Sequence, residues 1–137
     1  GPVLVAAAEA GVRDLLLFGY HGKLIKLAGG IFHTHHHLAD GRLEVLTALA
    51  VDQGLARAQL QQIRCAASVE EAFQGLPPSE AERLGFALAT AVERRSQAYI
   101  GRYGNWPIRV GAGIFDRSRS VRWRGPVAEK RFFTLMD

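Results

Sequence analysis

Five residues, Asp14-Leu15-Leu16-Leu17-Phe18, constrain this chain more than any other stretch: an acidic entry and a run of large apolar side chains, bounded by Gly19. A run this short fits a buried strand that ends at a glycine turn. Beyond it the period changes. Leu24, Leu27 and Ala28 fall on one face at helical spacing, with Lys23 and Lys26 turned toward another, and Gly22 frees the backbone for the turn that starts the helix. Unpaired backbone N–H groups and the positive end of the helix dipole belong at such a start, and two lysines add full charge. The stretch therefore predicts an anion trap. Gly19-Tyr20-His21-Gly22 lacks Gly-x-Gly-x-x-Gly spacing, so no dinucleotide site is expected there. Gly29-Gly30 ends the helix, and Asp40 and Arg42 open the next one after a run holding His33, His35, His36 and His37.

The rest of the chain reads mainly as helices. Val3 to Ala10 is a helix closed by Gly11, and Leu43, Leu46, Leu49 and Ala50 give another to about Asp52, ended by Gly54. Leu55 to about Ala66 follows. Ser68 and Glu71 have capping-box spacing ahead of a short helix that stops at Gly75 and Pro77-Pro78. Ser79 and Glu82 repeat that spacing and launch the longest helix, to about Tyr103. Ile108 to Phe115 and Ser120 to Arg124 then read as a pair of strands, with Phe132 to Leu135 as a further one. The expected fold is α/β: a small layered domain with a central strand at about 14–18, several helices and a C-terminal strand pair. At 137 residues the chain is one domain by length.

Composition narrows the setting. With 48% hydrophobic and 22% charged residues and no apolar run of spanning length, a soluble chain without a membrane segment is expected. The single cysteine, Cys65, cannot form an internal disulfide and reads as a small core residue or, alternatively, a reactive thiol; a reducing, cytoplasmic location fits. Between Arg102 and Arg131 eight basic residues stand against Asp116 and Glu129, which calls for an anionic partner. Three readings stay open for that segment: arginines that blunt a sheet edge, arginines that pair with carboxylates of a ligand, and arginines that work with Trp106, Phe115 and Trp123 on nucleic acid. The alternating histidines admit a metal site, but no cysteine or carboxylate cluster completes a ligand set except through Asp40 or His21, so no metal is expected.

The pattern Gly-x-x-Gly-Lys-Leu-x-Lys-Leu-Ala-x-Gly-Ile-x-x-Thr-His, followed by Ala-Asp-x-Arg-x-Glu, resembles the cobalt-precorrin-5B C1-methyltransferase family (CbiD). The matching positions are Gly19, Gly22, Lys23, Leu24, Lys26, Leu27, Ala28, Gly30, Ile31, Thr34, His35, Ala39, Asp40, Arg42 and Glu44, with departures at His33 and His36. Members of that family are longer and carry the motif in their C-terminal part, so the resemblance implies a piece of a longer chain whose N-terminal part is a partner of this one; an oligomer is compatible with it. It also implies methyl transfer from S-adenosylmethionine to carbon 1 of a cobalt-containing tetrapyrrole, giving cobalt-precorrin-6A in anaerobic cobalamin biosynthesis, with cobalt present only as part of the substrate. Gly19, Gly22 and Lys23 would then hold the methyl donor by its carboxylate or, alternatively, a side chain of the substrate, with Lys26, Thr34 and Arg42 on the substrate, and His35 and Asp40 would handle the proton. Thr34 and His35 as a helix cap or loop anchor is the plain alternative. An anion- or tetrapyrrole-binding module without catalysis, and an arginine-rich nucleic-acid-binding domain, are the rival functions.

Overall fold

The apolar run forms strand β1, Asp14–Tyr20, in a computed structural model that describes residues 2–30, 41–115 and 120–133. It pairs in parallel with β2, Arg109–Phe115, with Leu15 beside Val110 and Leu17 beside Ala112. Parallel pairing needs a long crossover, and this one carries five helices: α2, His21–Ala28; α3, Arg42–Asp52; α4, Arg57–Cys65; α5, Val69–Gln74; and α6, Pro78–Gly101. A short helix, α1, Pro2–Glu9, precedes β1. After β2 the chain returns antiparallel as β3, Val121–Arg124, and ends in α7, Pro126–Ala128, and a π-helical turn, Glu129–Phe133.

The α/β reading and the C-terminal strand pair hold, but the strand at 14–18 is not the central one. The sheet order is β1-β2-β3, so β2 sits in the middle. Small residues put it there. Gly111 lets α7 lie directly on the strand, since a Cβ at that position would come within 2.9 Å of the Ala128 backbone, and Gly113 leaves the space that the Phe18 ring occupies, 2.6 Å from where a Cβ would be. Residues 110–114 are accordingly buried throughout, whereas no residue of β1 is.

One core cluster lies between α2, α3, α4, α5, α6 and one face of the sheet, around Ile25, Leu46, Ile63, Leu84, Leu88, Val92, Ile114 and Trp123. A second joins α1 to the far end of α6 through Leu4, Ala8, Tyr99, Ile100, Ile108 and Val110. Glu93 is buried within this frame at 3% exposure. Its carboxylate accepts backbone N–H bonds from Ala112 at 3.0 Å, Val127 at 2.8 Å and Ala128 at 2.8 Å, which ties α6 to both β2 and α7.

Local signals account for several boundaries. Ser68 accepts from the Glu71 N–H at 3.1 Å, as its capping spacing predicts. Gly11 and Gly54, at φ of +87° and +74°, take the left-handed conformation that ends α1 and α3. Other expectations fail. Ser79 does not cap α6: Pro77 holds the cap position and Pro78 starts the helix, its preset φ suiting the first helical residue, while the Ser79 hydroxyl donates to Glu80. Phe132 and Phe133 close a π-helical turn rather than a strand, because Pro126 starts a helix that packs Phe133 edge-on against Phe18. Cys65 is exposed at the end of α4, whose buried contact is Ile63, so it is no core residue.

Candidate functional site

β1 runs straight into α2. Tyr20 holds the cap position in extended conformation, no side chain among the described residues caps the helix start, and His21, Gly22 and Lys23 make its first turn. The first residues of α3, Arg42 and Leu43, and the start of α5, from its cap Ser68 to Glu70, border the same space. Together these segments enclose an open cavity of about 630 Å³. The starts of three helices thus border one cavity, and a helix start is where backbone N–H groups and the positive end of the dipole lie. Lys23 is exposed on the rim and Arg42 is half-buried, with Nη1 only 3.6 Å from where a Cβ on Gly22 would lie. The guanidinium therefore lies against the first turn of α2.

His21 separates this space from the core. It is 8% exposed, its ring stands 5.7 Å from that of Phe73, and Nε2 lies 2.6 Å from Oε2 of Glu70. Glu70 also accepts from Gln74 through its other oxygen at 3.1 Å. Among the described residues the carboxylate that lines the cavity, Glu70, is therefore engaged by its neighbours, while Lys23 and Arg42 bring positive charge to the same lining. Removing Glu70 as alanine leaves a buried imidazole without its partner, at a cost of about 1–3 kcal/mol. Urea denaturation of the variant is expected to give that loss; a variant as stable as the parent would mean that the contact between α2 and α5 contributes nothing.

Of the residues predicted from sequence, Gly22, Lys23 and Arg42 come together at the cavity. Gly19 instead lies inside β1 opposite Ile114, where a Cβ would sit 3.2 Å from the Leu24 side chain, and Lys26 lies in the last turn of α2; neither lines the cavity. Thr34, His35 and Asp40, together with His33, His36 and His37, lie outside the described residues. Among the described residues no cluster of histidine, cysteine or acidic side chains could hold a metal, and no helix is long and apolar enough to cross a membrane. The sequence reading missed the pairing of His21 with Glu70. The two are 49 positions apart, and no local pattern links them.

The arginine-rich segment spends much of its charge internally. Arg122 pairs with Glu82 at 3.2 Å, Arg124 with Glu129 at 3.2 Å and Arg131 with Asp14 at 2.9 Å. Arg122 also lies over the Trp123 ring and Arg124 over that of Phe133. Of the three sequence readings, the sheet-edge one matches this arrangement best, since β3 is an edge strand and carries two of these arginines. The cavity, with hard cationic donors and helix ends, suits a carboxylate or another compact oxyanion.

Comparison with known proteins agrees with the motif. A family model described as CbiD, C-terminal domain, matches residues 33–126. The chain belongs to the CbiD family. Over all 137 residues it is 72% identical to a cobalt-precorrin-5B C(1)-methyltransferase of Parasynechococcus marenigrum (strain WH8102), covering 39% of that protein. It is 73% identical to the protein of the same name from Synechococcus sp. (strain CC9605), covering 37% of it, and 56% identical over 138 residues to that of Prochlorococcus marinus (strain MIT 9313). The chain thus spans well under half the length of these curated relatives. No solved structure matches it. The CbiD match begins after β1 and α2, so the cavity combines Arg42 and Glu70 from inside the matched region with Gly22 and Lys23 from the segment before it.

Proposed function

We propose that this chain is a single α/β domain forming the C-terminal part of a cobalt-precorrin-5B C1-methyltransferase, and that its cavity holds an anionic group of one of the two reactants. The observation that carries this reading is that the first turn of α2, Lys23 and Arg42 line one cavity in a member of the CbiD family. S-adenosylmethionine, when bound, supplies an already activated methyl group, and the reaction appends it to carbon 1 of cobalt-precorrin-5B on the way to cobalamin. Both reactants carry carboxylates: the methionyl end of the donor, and the acetate and propionate arms of the tetrapyrrole.

Methyl transfer of this kind asks the protein to align two partners and keep water out rather than to activate the donor. Arg42 offers a planar fork for a carboxylate, and Lys23 at the rim adds a mobile point charge. The first turn of α2 supplies backbone N–H groups that the helix itself holds in place for an anion. Thr34, His35 and Asp40 keep the roles that the family resemblance implies: substrate holding for Thr34, acceptance of a ring proton for His35 and its orientation by Asp40. Cobalt enters with the substrate and needs no ligand from this chain.

In the full-length protein, Arg42→Ala is expected to lower kcat/KM for methyl transfer by about 10–100-fold, the range for a charge-assisted contact removed from a partly enclosed site. Lys23→Ala, on the exposed rim, is expected to cost several-fold. Steady-state assays with each reactant varied in turn identify whose KM rises. Unchanged kcat/KM for both reactants in both variants would remove the cavity from the reaction.

A further inference from the structure

We infer that the free edge of β1 and the aromatic face beside it are the docking surface for the rest of the full-length chain, which adds an apolar strand next to β1 and covers Phe18. Leu16, Phe18 and Tyr20 alternate with the core-facing Leu15 and Leu17, and they lie on the sheet face opposite to α6. Phe18 stacks on Phe115 with ring centroids 5.4 Å apart and interplanar angle 4°, and Tyr20 meets Phe115 edge-on at 6.0 Å. Even so, Phe18 remains 46% and Tyr20 39% exposed, and the leucines of β1 are only half-buried.

The two edges of the sheet differ. β3 is four residues long and carries Arg122 and Arg124, the devices by which proteins keep an edge from pairing further. β1 is seven residues long, runs parallel to β2 and carries a single charge, Asp14, at its very start. Among the described residues nothing pairs with its outer side. Near-continuous apolar strands in parallel pairing belong inside sheets that are covered on both faces. The occupant is indicated by length: the relatives that match this whole chain are covered for only 37–39% of their own, so most of each lies elsewhere.

Amide hydrogen exchange on the full-length protein, resolved to single residues, tests this without any measurement of methyl transfer. All amides of 15–19 are expected to be protected to within about tenfold of those of 110–114 in the middle strand, and at every protein concentration. If alternate amides of 15–19 exchange at least a hundredfold faster than β2, the edge is free and the inference is wrong. Protection that appears only as protein concentration rises would assign the edge to a second copy, and protection that appears only on adding cobalt-precorrin-5B would assign the aromatic face to the ligand; either result overturns the proposal. Phe18→Glu is expected to expose 15–19 while leaving β2 protected. Intact protection of 15–19 in that variant would also count against docking, and if the variant loses β2 as well, the parent's exchange pattern decides. Loss of methyl transfer in the Arg42 variant with β1 still protected would separate this inference from the proposed function.

Discussion

Replacing Glu93 by alanine is expected to remove about 3–5 kcal/mol of stability and to lower Tm by roughly 10–20 °C. The side chain is buried, and three backbone N–H groups from β2 and α7 depend on its two oxygens. Alanine would strand all three. Since a domain of this size has about 5–15 kcal/mol in total, the variant sits near the unfolding threshold. Glu93→Gln keeps the shape but turns one acceptor into a donor that faces an N–H, so a smaller loss of about 2–3 kcal/mol is expected. The pH dependence adds a second test. Burial raises the Glu93 carboxyl above its ordinary value of 4.5, and the three N–H bonds only partly offset that. The folded state therefore takes up this proton at a higher pH than the unfolded chain, so the linked stability is fully present below the ordinary value and is lost as pH rises through the raised one. The stability advantage of the parent over Glu93→Gln should widen on acidification through that window. Urea denaturation of both proteins across it reads the difference, and a gap that narrows instead would mean that the N–H bonds outweigh burial.

Gly85→Ala is expected to destabilise the fold although alanine is the better helix former. A Cβ at Gly85 would fall within the indole of Trp123, a ring that is 3% exposed, packs tilted against Phe73 with centroids 4.6 Å apart and donates from Nε1 to Glu82 at 3.2 Å. The propensity gain of about 1 kcal/mol is outweighed by overpacking of about 1–3 kcal/mol and the disturbed Trp123 hydrogen bond. The expected net loss is about 1–3 kcal/mol, with a red-shifted Trp emission as the ring moves toward water. Trp123→Leu should make the same glycine replacement nearly harmless, because the two changes share one space. Additive losses in the double variant would show that the contact between α6 and β3 is not what limits the glycine.

Elements whose causes are local were legible from sequence. Ser68 caps its own helix by accepting from the Glu71 N–H, and the hairpin strands β2 and β3 follow from nearby β-branched and apolar residues. The helix start after Gly19-Tyr20 was legible too, since the period changes there, and with it the place of Gly22 and Lys23. What required the folded chain was anything set by distant partners. The middle place of β2 depends on Gly111 and Gly113 admitting α7 and Phe18, which no local rule announces. Glu93 looks like any glutamate of an exposed helix face until β2 and α7 close over it. His21 was visible only as one more histidine, and Glu70 only as part of a capping segment, because their link spans α3 and α4. Gly19 matched the motif position by position, yet it serves the packing of Leu24 rather than the rim of the cavity.

In the proposed function, the cavity bordered by Gly22, Lys23 and Arg42 holds an anionic group of a reactant. Calorimetric titration of the full-length protein and its Arg42→Ala variant, with S-adenosylhomocysteine and with cobalt-precorrin-5B at two salt concentrations, addresses it most directly. One of the two ligands should lose about tenfold or more in affinity in the variant, and its binding should become less sensitive to salt. Equal affinity of parent and variant for both ligands, with the same salt dependence, would mean that the cavity holds neither reactant.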